Sequence, residues 1–165
     1  MRTYQSDRDF LERLEAVEAR LAGLAMAIEG LTTPDAKSGE QWEDGQVWGH
    51  MTEFVPFWTG QIDHVIRTYQ GDPVPFGRAQ GSTARAEGIE AGLARTPEEQ
   101  FADLTTQLAD LGAWLQGMPE NGLVSIGAHA TMGEMAAWEA IDEFIISHLE
   151  QHADQLESIT PDGGL

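Results

Sequence analysis

Apolar residues recur along four stretches of the chain at steps of three and four, the spacing that lines one face of a helix. In the first, Phe10, Leu14, Val17, Leu21, Leu24, Ile28 and Leu31 share a seam. They predict a helix of about six turns, stopped at Thr33-Pro34 because proline cannot continue the hydrogen-bond ladder. The second seam, Val47, Met51, Phe54, Trp58, Ile62 and Val65, predicts a helix from about Asp44 to Tyr69. Glu43 followed by Gln46 is a relative of the capping box that opens it. Gly45, Gly49 and Gly60 work against it, each lowering helix propensity by about 1 kcal/mol relative to alanine.

Residues 71–95 break the period with Gly71, Pro73, Pro75, Gly77, Gly81 and Gly88, leaving a short helix over Ala84–Ala94 as the candidate element. A connection of this length is often a lid or a binding loop. The third long helix opens on Thr96, Pro97 and Glu99, an N-cap, a first-turn proline and a capping-box partner. Its seam is Phe101, Leu104, Leu108, Leu111, Leu115 and Met118, and Pro119 to Gly122 end it. Thr131 with Glu134 reads as the capping box of a fourth helix running to about Ile159. Amphipathic helices of similar length must cover one another's stripes, so the expected architecture is all-α: one four-helix-bundle domain over residues 1–165.

Composition adds limits. An apolar content of 41%, with six Phe and five Trp, supports a packed globule. Cysteine is absent, which removes disulfides, thiolate zinc sites and cysteine nucleophiles together and fits a reducing compartment. No apolar run approaches the roughly 20 residues that span a bilayer, and the first residues lack the apolar stretch of a secretion signal. A soluble, cytoplasmic protein is expected. With 28 acidic and 9 basic residues, the formal charge of −19 disfavours nucleic acid and anionic membrane as partners.

The fourth seam carries the chemistry. It reads Met135, Trp138, Ile141, Ile145, His148, His152, Leu156 and Ile159, so two imidazoles stand where the pattern reserves apolar side chains. Residues four apart share a face with Cβ atoms about 5–6 Å apart, and both rings can reach one ion at about 2.0–2.1 Å. Core histidines hydrogen-bonded to backbone or to each other are the plainer alternative. His50 joins them from the second helix, beside Val47, Met51 and Phe54, and three histidines from two helices make an open tripod. A zincin would need Glu at position 149, which is Leu149, and Glu150 points elsewhere. A carboxylate-bridged di-iron site would need Glu at the positions of Val47, Ile145 and Leu149. His64 lies roughly 20 Å along the helix axis from His50 and cannot share the ion. His129 falls in the loop before the fourth helix as a residue that could line a pocket.

Two segments, Trp42-Glu-Asp-Gly-Gln-Val-Trp-Gly-His50-Met and Phe144-Ile-Ile-Ser-His148-Leu-Glu-Gln-His152-Ala-Asp-Gln-Leu156, resemble the DinB-like superfamily of metalloenzymes, which is unrelated to the DNA polymerase of that name. The order and spacing of the three histidines match, and the four-helix plan covers nearly the whole chain. The resemblance implies an up-down-down-up bundle and frequent homodimers. It also implies one zinc, nickel or iron-like ion on His50, His148 and His152. The superfamily includes thiol-dependent transferases and isomerases that use mycothiol or bacillithiol. The mycothiol-dependent maleylpyruvate isomerases, whose metal-binding N-terminal domain is the part resembled, carry a further C-terminal domain, so only part of their substrate site is expected here.

The leading functional reading is therefore a metal-dependent enzyme that activates a low-molecular-weight thiol for an S-transferase or isomerase reaction on a small molecule. Its alternative is a non-enzymatic metal- or ligand-binding bundle in stress response. Phe54, Trp58 and Trp138 are candidate pocket residues, and aromatics at seam spacing also serve simply as core. Arg78, Arg85 and Arg95, in and beside the long connection, form a candidate anion clamp, solvated loop arginines being the plain alternative.

Overall fold

Ser6 opens the first helix by accepting a hydrogen bond from the Asp9 N–H, while the Asp9 carboxylate accepts from the Ser6 N–H. This box satisfies two of the amides that a helix start leaves without partners. Helix α1 spans Asp7–Leu24 and buries Phe10, Leu14, Val17 and Leu21. The computed structural model of the chain describes residues 3–26, 30–79 and 82–159.

The seam expected to continue to Leu31 ends earlier. Ile28 lies outside the described residues, and Leu31 is half exposed and bridges to Glu43. The Thr32 N–H donates to the Trp42 carbonyl, and the Trp42 N–H donates to the buried Thr32 hydroxyl. Leaving the helix lets this segment fold back on itself and present Trp42.

Helix α2 (Asp44–Thr68) follows the predicted bounds, with the Glu43 N–H donating to the Gln46 side chain. It carries Pro56 in its interior, which has no N–H for the Thr52 carbonyl. Gln107 supplies the missing donor at 2.9 Å, so the defect is repaired from another helix rather than left orphaned. The glycines that weaken α2 on propensity have a packing purpose. Helix α3 (Thr83–Ala91), continued by one tighter turn over Gly92–Ala94, lies directly on it. A Cβ on Gly92 would stand 2.0 Å from the Gly45 carbonyl oxygen, and one on Gly49 would stand 2.6 Å from that of Gly88.

Helix α4 (Pro97–Gln116) opens on the predicted Thr96–Glu99 box, with both bonds formed, and buries Leu104, Leu108, Leu111 and Leu115. The fourth helix does not open at Thr131. Those residues belong to a three-stranded sheet: β1 (Val74–Phe76) pairs in parallel with β2 (Ile126–His129), which pairs antiparallel with β3 (Gly133–Ala136). Thr131 sits in the turn and Glu134 in β3. The helix opens instead at Ala136, whose N–H donates to the Glu139 carboxylate, half of a capping box.

From there α5 (Ala137–Ile141) passes through a widened turn, Asp142–Ile146, into α6 (Ser147–Glu157). In that turn the Ser147 N–H bonds five residues back to Asp142. Arg13 of α1 clamps it, reaching the Asp142 carboxylate, the Ser147 hydroxyl and both oxygens of Glu150. The chain is thus mostly helical, as expected, with the sheet as an addition. α1 packs on α4 and α6, and α2 packs on α4, α5 and α6, around one apolar core that includes Phe10, Met51, Phe54, Leu108 and Ile145.

Candidate metal centre

α6 projects His148 and His152 one turn apart, and α2 projects His50 towards them. The ring centroids are 4.6 Å apart for His148–His152, 5.0 Å for His50–His148 and 4.9 Å for His50–His152. One nitrogen from each ring lies within 4.8 Å of the others. Ligands about 2.1 Å from a shared ion sit at most about 4.2 Å apart, close to the spacing of these nitrogens. His64 points away, exposed, near Thr68.

The rings are held from behind. His152 donates from Nδ1 to the Gln155 side-chain oxygen at 2.6 Å, which leaves the lone pair on Nε2. That Nε2 is buried without a partner, and so is Nδ1 of His50. His148 is bonded to the Phe144 backbone carbonyl, within the widened turn. Trp42 lies parallel to His152 and edge-on to His50, and Phe54 stacks flat on His148 at 4.3 Å.

This apolar packing keeps the imidazoles neutral. Burial lowers His148 from an ordinary value of 6.5 to about 4, against the pull of the Phe144 carbonyl. Burial, then the neighbouring His148, lowers His152 to about 3. His50 is driven down furthest, by burial and then by His152, His148, Arg85 and Arg78 in turn. All three therefore offer lone pairs at neutral pH, the form a metal requires. Three neutral imidazoles clustered this closely, two of them carrying a buried nitrogen without a partner, form a donor set that fits one divalent ion, since such groups are costly when left unsatisfied.

A cleft of about 560 Å³ opens on the site, lined by His50, His148, Trp58, Phe144, Arg78, Arg85, His129 and three neighbouring residues. Of the aromatics singled out from sequence, Trp58 lines it and stacks on Phe144 at 4.2 Å. Phe54 stands behind the histidines, and Trp138 packs instead against Tyr4. The widened turn explains Trp138: one residue absorbed without helical advance rotates everything before it by about 100° relative to His148.

Arg78 and Arg85 line the cleft, whereas Arg95 pairs with Asp103 on the surface. Arg78 is held by both oxygens of Glu53 and lies over the Phe57 ring. His129, expected in a loop, ends strand β2 and is buried. Its pairing with Phe76 joins positions 53 residues apart, and no local signal reports such a contact.

No family model matches the chain, and neither does any curated protein. Solved structures do. The mycothiol-dependent maleylpyruvate isomerase superposes with a TM-score of 0.66 at 14% identity, over 98% of this chain and 67% of that one. An uncharacterized protein from Clostridium difficile 630 gives 0.65 at 7% identity, over 94% and 96% of the two chains. A protein from Streptococcus pneumoniae gives 0.63 at 10% identity, over 95% and 91%.

Proposed function

We propose that this chain, which has the DinB-like fold, is a metal-dependent enzyme that activates a low-molecular-weight thiol for an S-transferase or isomerase reaction. The four long helices are read as that superfamily's up-down-down-up bundle. His50, His148 and His152 are read as the ligands of one zinc, nickel or iron ion. The observation that carries this reading is the pair of partnerless buried nitrogens, His50 Nδ1 and His152 Nε2, beside a third imidazole.

A divalent ion held there would supply Lewis acidity, lowering the pKa of a thiol or water brought to its open position. The protein's own residues do the rest. Gln155 and the Phe144 carbonyl orient two of the rings, and such outer partners also raise the basicity of the nitrogens they leave free. Phe54 and Trp42 exclude water from behind, which strengthens every electrostatic interaction inside. His50 and His148 also border the cleft, so a substrate approaches from that side. The likeness to a thiol-dependent isomerase supports thiol over water as the activated group.

Elemental analysis of untagged protein tests the site. One equivalent of metal is expected in wild type and a small fraction of that in His50→Ala and His152→Ala, with the helical circular dichroism unchanged. Stoichiometric metal surviving both substitutions removes the site. A screen of thiols against electrophiles then tests the activity: metal-dependent thiol consumption, lost in His50→Ala, is expected. If metal binds but no pair reacts, a binding role replaces the enzymatic one.

A further inference from the structure

His129 has a constraint that the triad does not use. Its Nδ1 receives the backbone N–H of Met132 at 3.2 Å and that of Thr131 at 3.3 Å, with the Thr131 hydroxyl at 3.1 Å. A backbone N–H can only donate, so Nδ1 must carry a lone pair, and the proton of the neutral ring stands on Nε2. The β2–β3 turn thus fixes the tautomer. A lone imidazole in a cleft is left as an obligatory donor.

The side chains that line the cleft are basic or neutral, with Glu53 the carboxylate paired to Arg78. The chain is formally −19, yet among the described residues the cleft lining holds Arg78, Arg85 and three histidines with no acidic side chain. Glu53 uses one N–H on each of two Arg78 nitrogens and fixes the plane of that guanidinium, which has further N–H groups to offer. Arg85 acts as a positive charge on all three triad histidines. Trp58 and Phe144 add an apolar surface beside these donors.

We propose that His129 Nε2–H, Arg85 and Arg78 form an anion subsite in this cleft that takes the carboxylate of a small organic acid, its carbon skeleton resting on Trp58 and Phe144. The subsite rests on the reading that the cleft serves the triad, and it names the class of molecule delivered there. Guanidinium and imidazole donors match the plane of a carboxylate, and charge assistance roughly doubles the strength of each bond.

Calorimetric titration of the full chain, with metal bound and after chelation, compares benzoate with its neutral isostere benzamide. Benzoate is expected to bind about tenfold more tightly in both states, and Arg85→Gln and His129→Phe are each expected to remove most of that preference without changing benzamide affinity. Long-range proton–nitrogen correlation spectra give a readout independent of any variant's folding: the His129 proton belongs on Nε2, and a proton on Nδ1 overturns the donor assignment. Equal affinity for acid and amide in wild type overturns the subsite. A preference that disappears on chelation yet survives both substitutions also overturns it, because the carboxylate then sits on the ion and the metal reading stands. A preference that persists in a chain that takes up no metal keeps the subsite and sinks the thiol-activating reading instead.

Discussion

Single side chains decide how the histidine cluster behaves. Gln155 is the acceptor that sets the His152 tautomer, and removing it leaves a buried N–H without a partner. Gln155→Leu is expected to weaken metal binding by about 10- to 100-fold, read by competition with a chromogenic chelator. An unchanged affinity would show that the tautomer needs no help.

Acid acts on the same rings. Their pKa values are lowered in the folded state, to about 4 for His148 and about 3 for His152. Below about pH 6.5 the unfolded chain takes up protons that the folded chain refuses, so stability is lost as pH falls from there. The slope is up to about 1.4 kcal/mol per pH unit for each histidine, and there is no such effect above pH 7. Denaturant midpoints of chelated protein should therefore fall between pH 7 and pH 5, and the fall should be smaller in His50→Leu. A parallel decline in the two proteins would assign the acid sensitivity to other groups.

At the level of elements, glycines bring α2 and α3 together and proline is repaired across α2 and α4. Gly92→Ala forces a Cβ into the Gly45 carbonyl, 2.0 Å away by ideal geometry, and neither partner is a side chain that can swing aside. A loss of about 3 kcal/mol in unfolding free energy is expected, with α3 displaced. Gln107→Leu orphans the Thr52 carbonyl and should cost about 1–3 kcal/mol. Urea unfolding measures both, and a wild-type midpoint in either variant would contradict the contact assigned to it. The widened turn is the other element-scale device: Arg13 braces it, and Trp138, which precedes it, packs on Tyr4 rather than in the cleft.

For the molecule as a whole, the excess of acidic residues is the dominant long-range term. Among the described residues no helix is long and apolar enough to cross a membrane, and the surface charge repels itself. Raising the salt concentration from about 0.02 M to about 0.5 M should increase the thermal midpoint by about 3 °C as that repulsion is screened. A falling midpoint would mean that ion pairs such as Arg20 with Asp154 and Glu157 outweigh it.

Much was legible in the chain itself because it is local. Steps of three and four placed α2 and α4 within a residue or two of their ends. The Thr96–Glu99 box formed as read, and His148 and His152 share a face because they lie four apart on one helix. Tertiary structure alone decided the rest. Strands β1 and β2 are short and distant in sequence, and pairing over such a separation leaves no periodic trace. The widened turn is braced by Arg13, more than a hundred residues away. Trp42 reaches the triad because its segment folds back on Thr32, and His129 reaches the cleft because β2 pairs with the distant β1, placements that no helical period reports.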